Sequence, residues 1–380
     1  MVLLTLWVLM ALAPAPLPGD RATKVASFYR PELDALRFFA FLMVFVCHTL
    51  NFQPEIYQDF GVPHFIAVAL SNTFLSGAFG VYLFFTLSAF LITALLLREK
   101  DRFGTLHVKE FYIRRALRIW PLYFAALLAG AIYASIAGLP DLRIIPWFLL
   151  FAGNWIEILG YNPSFVIAVL WSVCVEEQFY LAWPPLVARL GKTGLRNAAL
   201  AMLGAPIGGL PLGFALGLHG WRFGFSNSFS CISAMGVGIL LALYPLRRVN
   251  RWLCFIFGSL SFPLAYALHL GDSFWPSVLS LLLVNAGSAC LLLGVLNLRP
   301  SRVLTELGKV SYGLYVFHPI AIAVCLRVFS PKLHRMELYC VAYLVAFVAT
   351  VALSFVSYRY LEAPFLRMKE RFTFVRSRPV

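Results

Sequence analysis

Arg37 and His48 stand near opposite ends of the run YRPELDALRFFAFLMVFVCHTL, residues 29–50, whose interior from Leu36 to Cys47 is otherwise apolar. On an α-helix their eleven-residue spacing returns to nearly the same face after three turns and separates them by roughly 16 Å. A guanidinium and an imidazole on one stripe of an apolar helix are costly against lipid, so the stripe is expected to face the protein interior or a water-filled cavity. There the arginine would hold an anion and the imidazole would move a proton. Each residue taken alone has a plainer reading, a helix-end anchor satisfied by its neighbours.

Three further groups have side chains suited to chemistry. Arg115 and Arg118, three apart in FYIRRALRIWPLYF, share a helix face, where a guanidinium pair can grip phosphate bidentately. The alternative is ordinary anchoring to lipid headgroups. Glu176 and Glu177 are the only carboxylates deep within an expected span, and neighbours on a helix diverge by about 100°, so both cannot point into one narrow cavity. The buried one should pair with Arg or His or become neutral, and a purely structural bridge across the bundle is the competing reading. Tyr180 lies one turn beyond Glu176 and can hydrogen-bond along the same face. His318 precedes Pro319 and is flanked by Ser311, Tyr312 and Tyr315; a lone mid-helix histidine is as often a packing hydrogen-bonder as a catalyst.

The elements that must position these groups are membrane helices. Of the 380 residues, 61% are hydrophobic and only 13% charged, far outside the range of a soluble domain. The apolar runs are about twice the length of outer-membrane barrel strands and lack their alternation. Spans are expected at 34–52, 79–97, 119–138, 165–188, 197–217, 227–244, 253–270, 277–297, 310–328 and 337–358. The fold class is therefore all-α, a polytopic membrane helix bundle with about ten transmembrane helices.

The net charge of +14 would suit nucleic acid, but its distribution argues otherwise. With the N-terminus inside, the inner segments hold 26 of the 31 basic residues, and the outer loops keep only Arg143, Arg222, Arg327, Lys332 and Arg335. The positive-inside rule gives that asymmetry and puts both termini in the cytoplasm; no nucleic-acid partner is expected. Counting the short apolar piece 145–159 as a span would invert every later loop, so it is expected to be re-entrant or interfacial. The segment 51–78 is long for a connection and is either a lid or a plain solvated loop. Residues 1–28 form a leader whose apolar core is too short to span, and 367–380 a basic cytoplasmic tail. The seven cysteines are scattered singly, with no metal-ligand spacing. No P-loop, HExxH or GxSxG is present.

Taken in order, LDALRFFAFLMVFVCH, GVYLFFTLSAFLITALLL, FYIRRALRIWPLYF, LWSVCVEEQFYLAWPPL, LGKVSYGLYVFHPI and YRYLEAPFL resemble the signature stretches of the acyltransferase family 3 membrane proteins. These are bacterial O-acyltransferases that move acetyl or longer acyl groups onto sugars and other hydroxyl-bearing molecules. The resemblance runs from about residue 29 to 366, the expected membrane domain. It implies that Arg37 and His48 are essential, with His48 the catalytic candidate. It also implies that Arg115 and Arg118 act near the acyl donor, and that the W-S…E segment contributes Trp171, Ser172 and Glu176. Two positions depart from the pattern: Ala89 replaces a glycine after Ser88, and Val169 a histidine before Trp171.

On that resemblance the chain is expected to be an acyltransferase of the bacterial inner membrane, using acyl-CoA, acetyl-CoA foremost, as co-substrate, with no tightly bound cofactor and no metal. Arg115 and Arg118 would hold the donor's phosphates, with Arg37 farther along the same path. His48 would act as general base on the acceptor hydroxyl, or carry the acyl group itself, with Glu176 orienting the imidazole or stabilising its cation. Trp171, Ser172, Tyr180 and His318 are the expected substrate-binding residues. The acceptor stays open among a glycan, a lipid-linked sugar and a secondary metabolite. With only about twenty residues after the last span, no fused esterase-like domain is expected. The rival reading is a proton-coupled transporter, for which buried Arg, His and Glu would serve equally well.

Overall fold

The computed structural model describes residues 28–50, 53–59, 61–138, 140–246, 249–329 and 336–374. The leader, apart from Phe28, and residues 375–380 of the basic tail lie outside the described residues, as do Arg247, Arg248, Lys332 and Arg335. Among the described residues there are helices and no strand. The long ones are α1 (Pro31–Thr49), α2 (His64–Leu75), α3 (Gly80–Phe103), α4 (Val108–Ile136), α5 (Trp171–Arg189), α6 (Lys192–Ala215), α7 (Ser228–Leu243), α8 (Arg251–Tyr266), α9 (Phe274–Val295), α10 (Ser311–Phe329) and α11 (Met336–Ser357).

Among the described residues, eight helical stretches are long and apolar enough to cross a membrane. The remaining two expected spans are also helices. One, α1, carries Glu32, Asp34 and Arg37 within its nineteen residues, and the other, α8, has sixteen. Prolines inside α4, α5, α6, α8 and α10 are tolerated because neighbouring helices and side chains take up the freed carbonyls.

Contacts between loops sort the helix ends into two groups. Arg30, before α1, donates to Asn297, after α9 (3.0 Å). Lys100, near the end of α3, caps the last carbonyls of α5 at Val187, Ala188 and Leu190 (2.7–3.1 Å). Arg114 of α4 donates to the Phe372 carbonyl beyond α11 (2.7 Å). At the opposite end, Gly220 before α7 donates to Gly271 between α8 and α9 (2.9 Å). Arg37 thus lies toward the first end of the bundle and His48 toward the second.

Three boundaries differ from the sequence-based expectation. The expected lid or loop at 51–78 is largely helical, and α2 joins α3 through a single 3-10 turn at Ser76–Phe79. The cause is close packing: a Cβ at Gly77 would stand 2.2 Å from the Met43 carbonyl oxygen, and one at Gly80 2.5 Å from that of Ala40. α4 starts eleven residues before the expected 119, so Arg115 and Arg118 lie within the helix and not at its mouth. The piece 145–159 holds two short helices, Ile145–Leu149 and Gly153–Ile156, broken at Phe151 with φ 54°; neither is long enough to cross a membrane.

The stretch containing α3 is the centre of the bundle, with 72% of its apolar window buried, against 28% for α6 and 22% for the last stretch. α7 crosses α3 at Gly238, where a Cβ would meet the Thr86 carbonyl oxygen at 2.2 Å and the Phe90 nitrogen at 2.8 Å, both backbone atoms. Gly204 on α6 has nothing within 4 Å. Gly238→Ala is therefore expected to lower stability by about 1–3 kcal/mol through overpacking, while Gly204→Ala is neutral or stabilising through helix propensity. Thermal unfolding in detergent checks the pair; equal midpoints would contradict this packing.

Candidate functional site

α1, α3, α4, α5 and α10 surround a cavity with about 1060 Å³ of empty space, its open mouth included. Its lining contains Arg37, Arg115, Arg118, Ser172, Glu176 and Tyr180, six residues that the sequence reading singled out from three separate stretches. Arg30, Asp34, Ser88, Tyr312 and Tyr315 line it as well.

Arg37, Glu176 and Arg115 have defined surroundings. Arg37 pairs with Asp34 one turn earlier on α1, at 2.9 Å, with the Asp34 side chain 1% exposed. The i,i+3 spacing puts both on one face. Gly308 packs on that turn so tightly that a Cβ there would stand 2.0 Å from the Asp34 carbonyl oxygen. Glu176 accepts from the Ser88 hydroxyl (2.8 Å) on one oxygen and from the Tyr180 hydroxyl (3.0 Å) on the other. The Arg115 guanidinium carbon lies 5.4 Å from the ring centres of Phe111 and Tyr180, and its buried Nε has no hydrogen-bond partner among the described residues. With all six ionised, four guanidinium groups and two carboxylates leave the lining net positive, suited to an anionic ligand.

Glu177 points elsewhere, as the helical divergence requires: it accepts from the Trp120 indole (3.1 Å) and does not line the cavity. Glu176 and Glu177 are both half-buried, whereas the fully buried carboxylates among the described residues, Glu32, Asp34, Glu99 and Glu362, lie at or beyond the ends of the expected spans. Trp171 lies outside the lining, packed against Phe85 and Phe225 with ring centres 6.2 and 5.4 Å away.

Two of the lining residues, Ser172 and Tyr315, are joined by a polar contact. The Ser172 hydroxyl donates to the Tyr315 hydroxyl (2.8 Å), which donates to the Val169 carbonyl (3.1 Å). His318 lies one turn farther along α10, its ring centre 5.6 Å from that of Tyr315, and its Nε2 is hydrogen-bonded to His48 Nδ1 at 2.9 Å. Neither histidine lines the cavity. The lining that takes in Arg37, Arg115 and Arg118 reaches Tyr315 but not His48, so the path expected to run from the arginines to His48 is not continuous in this lining. Glu176, expected to orient the His48 imidazole or stabilise its cation, is hydrogen-bonded to Ser88 and Tyr180, and the partner of His48 is His318. Sequence reasoning left out Asp34 and Ser88. Asp34 had a visible signal in its three-residue spacing from Arg37; Ser88, within an apolar run, had none apart from the motif around it.

Comparisons with known proteins bear on the same stretch. A family model described as an acyltransferase domain matches residues 30–359. The chain is 25% identical over 374 residues to a Staphylococcus aureus (strain MSSA476) protein named "Putative O-acetyltransferase", covering 89% of this chain and 57% of that protein. It is 25% identical over 387 residues to the peptidoglycan O-acetyltransferase OatA of Listeria monocytogenes, covering 90% and 57%. To YrhL of Bacillus subtilis, named "Putative peptidoglycan O-acetyltransferase", it is 27% identical over 341 residues, covering 76% and 48%. The chain thus spans little more than half the length of the first two of these relatives. No solved structure matches it.

The charge of the cavity is open to a chemical test. A cysteine at Ser88 is expected to react about tenfold faster with a sulfonate-bearing methanethiosulfonate than with a trimethylammonium-bearing one at low salt. A cysteine at Thr93, buried under the Trp183 indole at 2.9 Å, should react with neither. Site-resolved mass spectrometry reads both, and equal rates for the two reagents at position 88 would contradict a net positive lining.

Proposed function

This chain belongs to the acyltransferase family whose domain it matches over residues 30–359, and from that premise we propose that it is a membrane O-acyltransferase moving an acetyl group from acetyl-CoA to a hydroxyl of a glycan. The observation that carries this reading is the convergence of Arg37, Arg115 and Arg118 on one cavity that ends, one residue layer away, at a pair of hydrogen-bonded histidines. The names of the relatives favour a sugar of peptidoglycan as acceptor.

In this reading the arginine end of the bundle faces the cytoplasm, as the loop charges require, and both termini lie on that side of the inner membrane. Acyl-CoA enters there. Arg115 and Arg118 take its phosphates, with the fork geometry that suits them to phosphate oxygens. Arg37, fixed by Asp34, draws the donor inward. The thioester then lies against Ser172 and Tyr315, and a turn of the Tyr315 ring brings its carbonyl carbon to His48.

His48 removes the proton from the acceptor hydroxyl, and the oxygen attacks the thioester carbonyl. The carbon–sulfur bond breaks, and the departing CoA thiolate takes the proton from the His48 imidazolium. The ester forms, CoA leaves as the free thiol, and His48 returns to its starting state. Glu176 keeps the arginine cluster apart and compensated, while Tyr180 and Ser88 hold Glu176.

Membrane vesicles given labelled acetyl-CoA and peptidoglycan fragments test the reading: the account expects an acetylated glycan and stoichiometric free CoA. Solute flux without modification of the solute would overturn it in favour of a carrier. His48→Ala should lower the transfer rate by about 10²–10⁴-fold at unchanged membrane levels. Arg118→Ala should raise the KM for acetyl-CoA more than it lowers kcat. Wild-type turnover in the His48 variant would remove that residue from the mechanism.

A further inference from the structure

Pro319 has no backbone N–H, so the carbonyl of Tyr315, four residues earlier in α10, loses the donor that an α-helix would give it. The His318 side chain takes that place. Its Nδ1 lies 2.7 Å from the Tyr315 carbonyl oxygen, which can only accept, so Nδ1 carries a proton and donates it.

Burial decides the state of the other ring nitrogen. His318 is fully buried, and its hydrogen-bond partners are a carbonyl and a second imidazole, neither with negative charge. An imidazolium there would be uncompensated, so the ring is neutral and Nε2 offers a lone pair. That lone pair meets His48 Nδ1 at 2.9 Å. The ring planes are 9° apart and the centres 5.1 Å apart, the geometry of two imidazoles lying edge to edge with the N–H directed along the lone pair.

His48 Nδ1 must then be the donor, which in the neutral imidazole leaves His48 Nε2 without a proton. His48 is partly exposed, and its Nε2 has no hydrogen-bond partner among the described residues and is not among the buried polar atoms. Phe165 stands edge-on to the ring, centres 5.0 Å apart, and fixes its plane from the other side.

We propose that His318 is a positioning residue: the orphaned Tyr315 carbonyl, His318 and His48 form a relay that locks His48 in the tautomer with Nδ1 protonated and Nε2 bare. The nitrogen presented to an acceptor hydroxyl is thereby always the basic one. The catalytic use of that nitrogen rests on the acyltransferase reading; the tautomer itself does not.

The test is nitrogen-15 NMR of histidine-labelled protein in lipid bilayers, with the seven histidines assigned by single substitution. Expected are a protonated Nδ1 and a bare Nε2 at His48, with coupling across the hydrogen bond to a bare His318 Nε2. His318→Gln, whose amide oxygen can accept from His48, should keep this pattern and most of the transfer activity. His318→Phe should populate the Nε2-protonated form and lower kcat about 10–100-fold, the range seen when an orienting partner is removed, with the KM for acetyl-CoA unchanged. Thermal unfolding of both variants separates loss of the relay from loss of the fold.

A protonated Nε2 at His48 in the wild type would overturn the proposal, as would a His318→Phe spectrum identical to wild type. The spectra are recorded without donor or acceptor, so they stand or fall apart from the acyl-transfer reading, which fails instead if the wild type makes no acetylated product.

Discussion

Charge inside an apolar bundle is the constraint on which the rest of this structure depends. A guanidinium among lipid tails costs several kcal/mol even after local relaxation, so Arg37, Arg115 and Arg118 have to be brought together around carboxylates and water. The bundle does this with five helices. Asp34 compensates Arg37 from the same helix, and Glu176, held by Ser88 and Tyr180, lines the same cavity. Because the compensation is incomplete, the cavity retains a positive potential, and an anion is the natural guest. In the proposed function the expensive arrangement and the donor site are the same object.

Backbone packing around α1 keeps the arrangement in place. Without a hydrophobic driving force between helices in lipid, close approach through small residues takes over. Gly77 and Gly80 let the α2–α3 stretch rest on the carbonyls of Met43 and Ala40, and Gly308 rests on that of Asp34. These contacts fix α1 along its length, so Arg37 near one end and His48 near the other hold a constant separation. The acyl-transfer reading needs that separation, since the arginine end receives a polar donor and the histidine end acts on an acceptor. Tyr315 lies between the two, joined to Ser172 on the cavity side and to His318 on the other.

Much of this was legible in the chain, and the parts that were not have physical reasons. Charged residues in apolar runs are conspicuous, and arginines and carboxylates in different spans must meet in a bundle, so Arg37, Arg115, Arg118 and Glu176 could be grouped from the sequence. The start of α4 could not be read, because VKEFYIRR looks like a charged loop. In the structure its charges are absorbed by pairing, Arg114 to the buried Glu99 at 3.0 Å. The helix at His64–Leu75 is apolar but only twelve residues long, too short to be read as a span, so it falls within the expected connection. The partner of His48 was hidden for a different reason: His318 lies 270 residues away, and periodicity within one helix carries no information about which helix packs beside it. The Pro319 that frees the Tyr315 carbonyl was in plain view, but its effect depends on where the His318 ring turns.

The central claim is that an anionic thioester occupies the arginine cavity and delivers its carbonyl past Tyr315 to His48. A structure determined with a non-transferable thioether analogue of acetyl-CoA tests it most directly. The account expects the phosphates against Arg115 and Arg118, the Tyr315 ring displaced from Ser172, and the carbon that replaces the thioester carbonyl near His48 Nε2, with room for an acceptor oxygen at the roughly 3–3.5 Å of a near-attack geometry. An analogue bound away from the arginines, or seated in the cavity with Tyr315 still bonded to Ser172 and the reactive carbon walled off from His48, would contradict it.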